Sequence, residues 1–217
     1  MHNDTAIHGG MWSYYLNTFI KPQRTFNEFI TDSNGYRYGF MYMLIPLIGY
    51  TLMYIFLTLG NGAPSVFTPW LNIPKENYYA VNRFLLAPSL IMSWLLAASV
   101  VQILSRWAKG SGSFEQTLAV IGLCISVAMW GTLVHDLIMS SLSAVRIIDA
   151  RQHEIAMNSP TVWRTLLWIS MAIYLFAFLL LFSKGVKAVH KISTAHSVWI
   201  GVCGFLVFQI IFVIFNR

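Results

Sequence analysis

Five stretches of this chain, residues 38–59, 84–104, 118–134, 162–182 and 198–215, are apolar almost throughout, and Arg164 is the one charged residue within them. Each matches the length a helix needs to cross a hydrocarbon core, about 20 residues at 1.5 Å apiece. Lipid offers no hydrogen bonds, so a span must satisfy its own backbone, and a helix does so within one segment. The expected fold is therefore all-α: a polytopic membrane protein built as a bundle of five transmembrane helices. Composition agrees, because 10% of residues are charged where a soluble domain carries roughly 25%. So few charges cannot coat a surface facing water. The length of 217 residues suits one bundle rather than several domains.

Residues 1–35 precede the bundle, and residues 36–217 make up the five-span domain. Trp12, Tyr15, Leu16, Phe19 and Ile20 recur at helical spacing. After Pro22, which suits a first helical turn, Phe26, Phe29 and Ile30 repeat the pattern. Neither piece can span. With Lys21 and Arg24 beside them, they read as an interfacial amphipathic N-terminal helix; packing on the end of the bundle is a compatible alternative. Met1 to Gly10 holds no Lys or Arg, and no cleavable signal is expected.

The loop over 61–81 is broken by Pro64, Pro69 and Pro74 but carries Val66, Phe67 and Trp70. It is expected at headgroup level, with Trp70, Tyr78 and Tyr79 in an aromatic belt. Residues 137–158 are too polar to span. Leu142, Val145 and Ile148 mark an amphipathic helix on the outer face between spans three and four, and Ser159-Pro160 reads as the start of the next helix. A short basic loop over 183–196 joins the last two spans.

The stretch from Arg83 to Asp136 sets the topology. Ser89, Ser93 and Ala97 on the second span, and Gly122 and Ser126 on the third, repeat every four residues. Such stripes allow close helix packing, and a short loop between the two spans makes them expected neighbours. In that loop, Lys109-Gly110-Ser111-Gly112-Ser113, the glycines are expected to supply the free backbone of a tight turn. Ser113 and Gln116 match a capping box, and Glu115 favours the positive end of the helix. Phosphate binding by the loop is the functional alternative, though no Walker pattern follows.

Chemistry is sparse. His135 and Asp136 end the third span, and Asp149, His153 and Glu154 lie on the segment beyond. Carboxylates and imidazoles together are a candidate site for a bound divalent metal. On one straight helix His135 and Asp149 would stand about 21 Å apart, so the site requires a break near residues 140–143. No other cofactor is expected. Cys124 and Cys203 read as small core residues. The span centres hold no acid or base of the kind that drives ion coupling; a path for an uncharged or lipidic substrate would show as a cavity lined by Gln102, Ser126 and Gln209.

The balance of 14 Lys+Arg against 8 Asp+Glu fits loops beside anionic lipid rather than nucleic acid. Lys21, Arg24, Arg37, Arg106, Lys109, Lys184, Lys187 and Lys191 fall on one side, which puts the N-terminus inside and the C-terminus outside.

Five spans, Phe19-Ile20-Lys21-Pro22 followed by Phe26, and Lys109-Gly110-Ser111-Gly112-Ser113-Phe114-Glu115-Gln116 resemble the Yip (Rab-interacting, Ypt-interacting protein) membrane domain from about Phe19 onward. Eukaryotic members of that family are implicated in vesicle trafficking with prenylated Rab GTPases. Prokaryotic relatives share the membrane domain. The chain lacks the long hydrophilic N-terminal domain of eukaryotic members, so the resemblance implies a prokaryotic-type protein of the cytoplasmic membrane, with no catalytic residues to carry over. The expected function is a non-enzymatic scaffold, adaptor or accessory subunit acting on lipid and on other membrane proteins or copies of itself. The alternatives are a small transporter or channel, and a metal-dependent membrane enzyme at the outer face.

Overall fold

The computed structural model describes residues 10–64 and 71–216. Its helices are α1 (Met11–Ile20), α2 (Pro22–Phe29), α3 (Gly35–Leu59), α4 (Tyr78–Trp107), α5 (Phe114–Ala128), α6 (Trp130–Ala144), α7 (Ala150–Asn158), α8 (Val162–His190) and α9 (Thr194–Asn216). No strand occurs among the described residues. Four helical stretches, Gly35–Leu59, Lys75–Trp107, Val162–His190 and Thr194–Asn216, are long and apolar enough to cross a membrane. The pair α5 and α6 adds a fifth if it is one broken span, bent by 45°.

The centre is α5, buried from Thr117 through Ala128. Helices α3, α4 and α8 surround it, and α9 closes the bundle against α4 and α8. Glycine makes the tightest crossing possible. A Cβ on Gly39 would come within 2.5 Å of the Ala119 Cα, and one on Gly122 within 2.9 Å of the Gly39 carbonyl, so α3 and α5 touch backbone to backbone.

The two small-residue stripes serve different seams. On α4, Ser89 receives a hydrogen bond from Asn216 of α9, and Val101, three turns along the same stripe, meets Gly204 of α9. Ser93 and Ala97 lie between them and are fully buried. Gly122 packs on Gly39 and Trp94, while Ser126 turns toward Tyr15 of α1.

Several boundaries move from expectation. The basic loop shrinks to residues 191–193, because α8 runs on through Lys184 and Lys187 to His190. Cations at a helix C-terminus meet the negative end of its dipole, so their presence does not end the helix. The single amphipathic helix over 137–158 is two helices, α6 and α7, turned at residues 145–149. Thr161 rather than Ser159 precedes the first residue of α8, and Ser159 instead ends α7. Tyr78 and Tyr79 form the first turn of α4 and are buried, not an exposed belt; Val66, Phe67 and Trp70 lie outside the described residues.

The glycine loop departs in a more instructive way. Among the described residues no glycine has positive φ. The left-handed position belongs to Lys109, φ 63°, and the α4 end is a Schellman turn, with Gly110 N–H donating to Ser105 C=O and Lys109 N–H to Arg106 C=O. Asn61 and Arg146 do the same at the ends of α3 and α6. Gly110 and Gly112 are small for another reason: a Cβ on either would strike His190 or Val189 at the end of α8. The capping box of Ser113 and Gln116 is present.

Candidate functional site

The site is made by three departures from straight helix. The first is the bend between α5 and α6. In an unbroken helix the Ser126 carbonyl would accept from the Trp130 N–H. Here the Tyr15 hydroxyl donates to that carbonyl at 3.2 Å. It accepts in turn from Ser126 Oγ at 3.2 Å and from Trp130 Nε1 at 2.6 Å. A side chain inserted into the ladder is a standard cause of a kink, and a phenol with one donor and two acceptors in use is fully satisfied.

The second departure ends α6. Arg146 takes a left-handed conformation, φ 61°, and Ile147 N–H returns to Leu142 C=O. The third restarts the chain: Asp149 caps α7 by accepting from the N–H groups of Arg151 and Gln152. Helix α7 folds back so that the His153 ring stands 5.7 Å from the His135 ring, with Trp163 edge-on at 5.0 Å. The reversal the sequence required for convergence therefore exists, a few residues beyond where it was expected.

His135 Nδ1 donates to Asp136 Oδ1 at 3.1 Å. The Nε2 atoms of His135 and His153 are both buried without a hydrogen-bond partner. Glu154 accepts from the Tyr79 hydroxyl at 3.1 Å, and Asp149 is spent on its cap. Three of the five candidate ligands thus gather. Even so, no three His, Cys, Asp or Glu side chains among the described residues stand where they could hold one metal ion. His153 lies outside the spans, and burial, with His135 close by, pushes its pKa below the usual histidine range.

These groups line one end of a cavity of about 190 Å³ between α3, α6, α7, α8 and α9. Its deeper wall carries Tyr50, hydrogen-bonded to Thr132 at 2.8 Å, and Tyr174, donating to Gln209 at 2.7 Å. Of the path residues expected from sequence, only Gln209 lines it. Gln102 is occupied elsewhere, donating to Gly112 C=O and accepting from Thr117. Ser126 faces Tyr15.

On its other side His135 borders a second space, an apolar groove of about 700 Å³ between α1, the α5–α6 bend and α8. Lys184 lines its far end. No sequence signal separates Tyr15, which builds the bend, from the other aromatics of α1, and nothing short of packing joins Lys184 to a groove.

The glycine loop is not organised as an anion cradle. Its Gly110, Ser111 and Ser113 N–H groups already donate to Ser105, His190 and Gln116.

The sequence matches the family model of the Yip1 domain over residues 16–215. No curated protein and no solved structure matches the chain.

Proposed function

This chain belongs to the Yip1 domain family, and on that premise we propose that it is a non-enzymatic scaffold, adaptor or accessory subunit that works by holding lipid or other membrane proteins against its bundle. It is an integral membrane protein with several apolar helices. The observation that carries the proposal is the groove between α1, the α5–α6 bend and α8, apolar along most of its length and opening between helices that face lipid. Trp12, Leu16, Phe19 and Ile20 also leave an apolar face of α1 exposed beside it. We place it in a prokaryotic cytoplasmic membrane, and Lys and Arg placement supports a cytoplasmic N-terminus and an outward C-terminus. Purification in mild detergent with native mass spectrometry tests the proposal. A retained lipid, a co-purifying protein or a self-assembled oligomer is expected; a bare monomer sinks it.

The second reading, a small transporter for an uncharged or lipidic substrate, is favoured by the cavity beneath His135 and Gln209. Flux or lipid transfer in reconstituted vesicles, abolished by Gln209→Leu, is its expected signature.

A further inference from the structure

We propose that the groove between α1, the α5–α6 bend and α8 is a site for an anionic phospholipid, with an acyl chain laid along α8 and the phosphate held at Lys184. The assignment rests on the reading that this protein acts through lipid or membrane-protein contacts, and names the ligand class. Along α8 the groove is lined from Leu166 to Lys184, about 27 Å of helix and so most of the ~30 Å hydrocarbon core. Ile169, Ile173 and Phe176 line it and are exposed, so it opens sideways toward acyl chains rather than toward water.

Charge identifies the headgroup. Lys184 lies two residues beyond the apolar run 162–182, which places its ammonium at the boundary between hydrocarbon and headgroups. The residue is half-buried, and the salt bridges among the described residues, Arg24–Glu28 and His135–Asp136, do not involve it. A cation held at the mouth of an apolar groove attracts an anionic headgroup at that depth. Lys21, exposed between the groove residues Ile20 and Pro22, adds a second positive charge at the same mouth. Glu28, the carboxylate on α2, is already paired with Arg24 at 2.7 Å. A lipid phosphate supplies the missing anion at that depth, and its chain fills the groove. A bare apolar helix of a partner protein would fill the groove and leave Lys184 unpaired.

The test uses the full chain in phosphatidylcholine vesicles, with spin-labelled phosphatidylglycerol or phosphatidylcholine of the same chain length. The fraction of probe immobilised by the protein is read by electron paramagnetic resonance. One lysine near the surface is worth about a fivefold preference for an anionic lipid. We expect roughly that preference in the wild type, its loss in Lys184→Gln and its retention in Lys184→Arg. Lys187→Gln, three residues on and bonded to Thr194, should leave it unchanged. Ile173→Trp, a bulky change at an exposed groove position, should lower immobilisation of both lipids. Equal immobilisation of the two lipids by the wild type overturns the site. So does an equal loss in Lys184→Gln and Lys187→Gln, which would mark diffuse surface attraction. If selectivity is absent while a protein partner co-purifies, the lipid site falls and the scaffold reading stands; a bare monomer without selectivity ends both.

Discussion

At the scale of single residues, two neighbours in one loop should respond in opposite directions. Lys109 holds a left-handed conformation that costs a non-glycine residue about 1–2 kcal/mol. Lys109→Gly is expected to raise the melting temperature in detergent, by about 1 kcal/mol of stability, and Lys109→Ala should not. Gly112 has the reverse problem. A Cβ there would lie 2.3 Å from Val189 Cγ1 and 2.7 Å from the Val189 carbonyl, so Gly112→Ala should cost about 1–3 kcal/mol in the same assay. His153 contributes a pH dependence. Burial and the neighbouring His135 lower its pKa, against a smaller opposing pull from Asp136. In the unfolded chain it takes up a proton near pH 6.5, and in the fold only at lower pH. Its neutral form is therefore favoured by folding, and that stability is present above about pH 6.5 and lost as the pH falls below it. Melting curves between pH 7.5 and 5.5 should show the fall, and His153→Gln should make it shallower.

At the scale of elements, the bend between α5 and α6 controls the candidate site. Three hydrogen bonds converge on the Tyr15 hydroxyl. Tyr15→Phe removes them all and frees the Ser126 carbonyl to rejoin a straight helix. We expect a loss of about 1–2 kcal/mol, faster hydrogen exchange at residues 129–133, and a wider separation of His135 from His153. Normal exchange in that segment would mean the bend is set instead by Gly131, where α6 meets the Tyr174 backbone of α8. The α1 helix was readable as an amphipathic aromatic element, but its faces were not. Trp12, Leu16, Phe19 and Ile20 point outward while Tyr14, Tyr15 and Thr18 point in. When lipid is the surroundings, apolar groups lose nothing by facing out, and hydroxyl-bearing ones gain partners by facing in.

At the scale of the molecule, a buried polar network ties the end of the chain to its middle. Asn216 of α9 donates to Ser89 of α4 and accepts from Tyr54 of α3. Asn82 of α4 donates to Tyr54 and Tyr78. Interhelical bonds of this kind are worth about 0.6 to 1.7 kcal/mol each in a membrane bundle. Asn216→Ala should therefore cost about 1–2 kcal/mol and loosen α9 from α4, read as faster exchange along α9 with α5 unaffected. A uniform change across all helices would instead mean that the bundle opens as one unit.

The helical class, the membrane-spanning character, the capping box at Ser113 and the Yip1 kinship were all legible from local sequence. Hydropathy and capping act over a few residues, and backbone hydrogen bonding in lipid leaves few alternatives. Tertiary structure alone decided that the α4 stripe serves α9, that Gly110 and Gly112 are small for the sake of α8, and that α5 and α6 meet at a 45° bend. It alone brought His135 to His153 and set Lys184 at the end of an apolar groove. Those outcomes depend on which faces meet across long sequence separations. In lipid, the apolar surface that would mark a helix's inner face in water carries no such mark, so nothing short of packing assigns the faces.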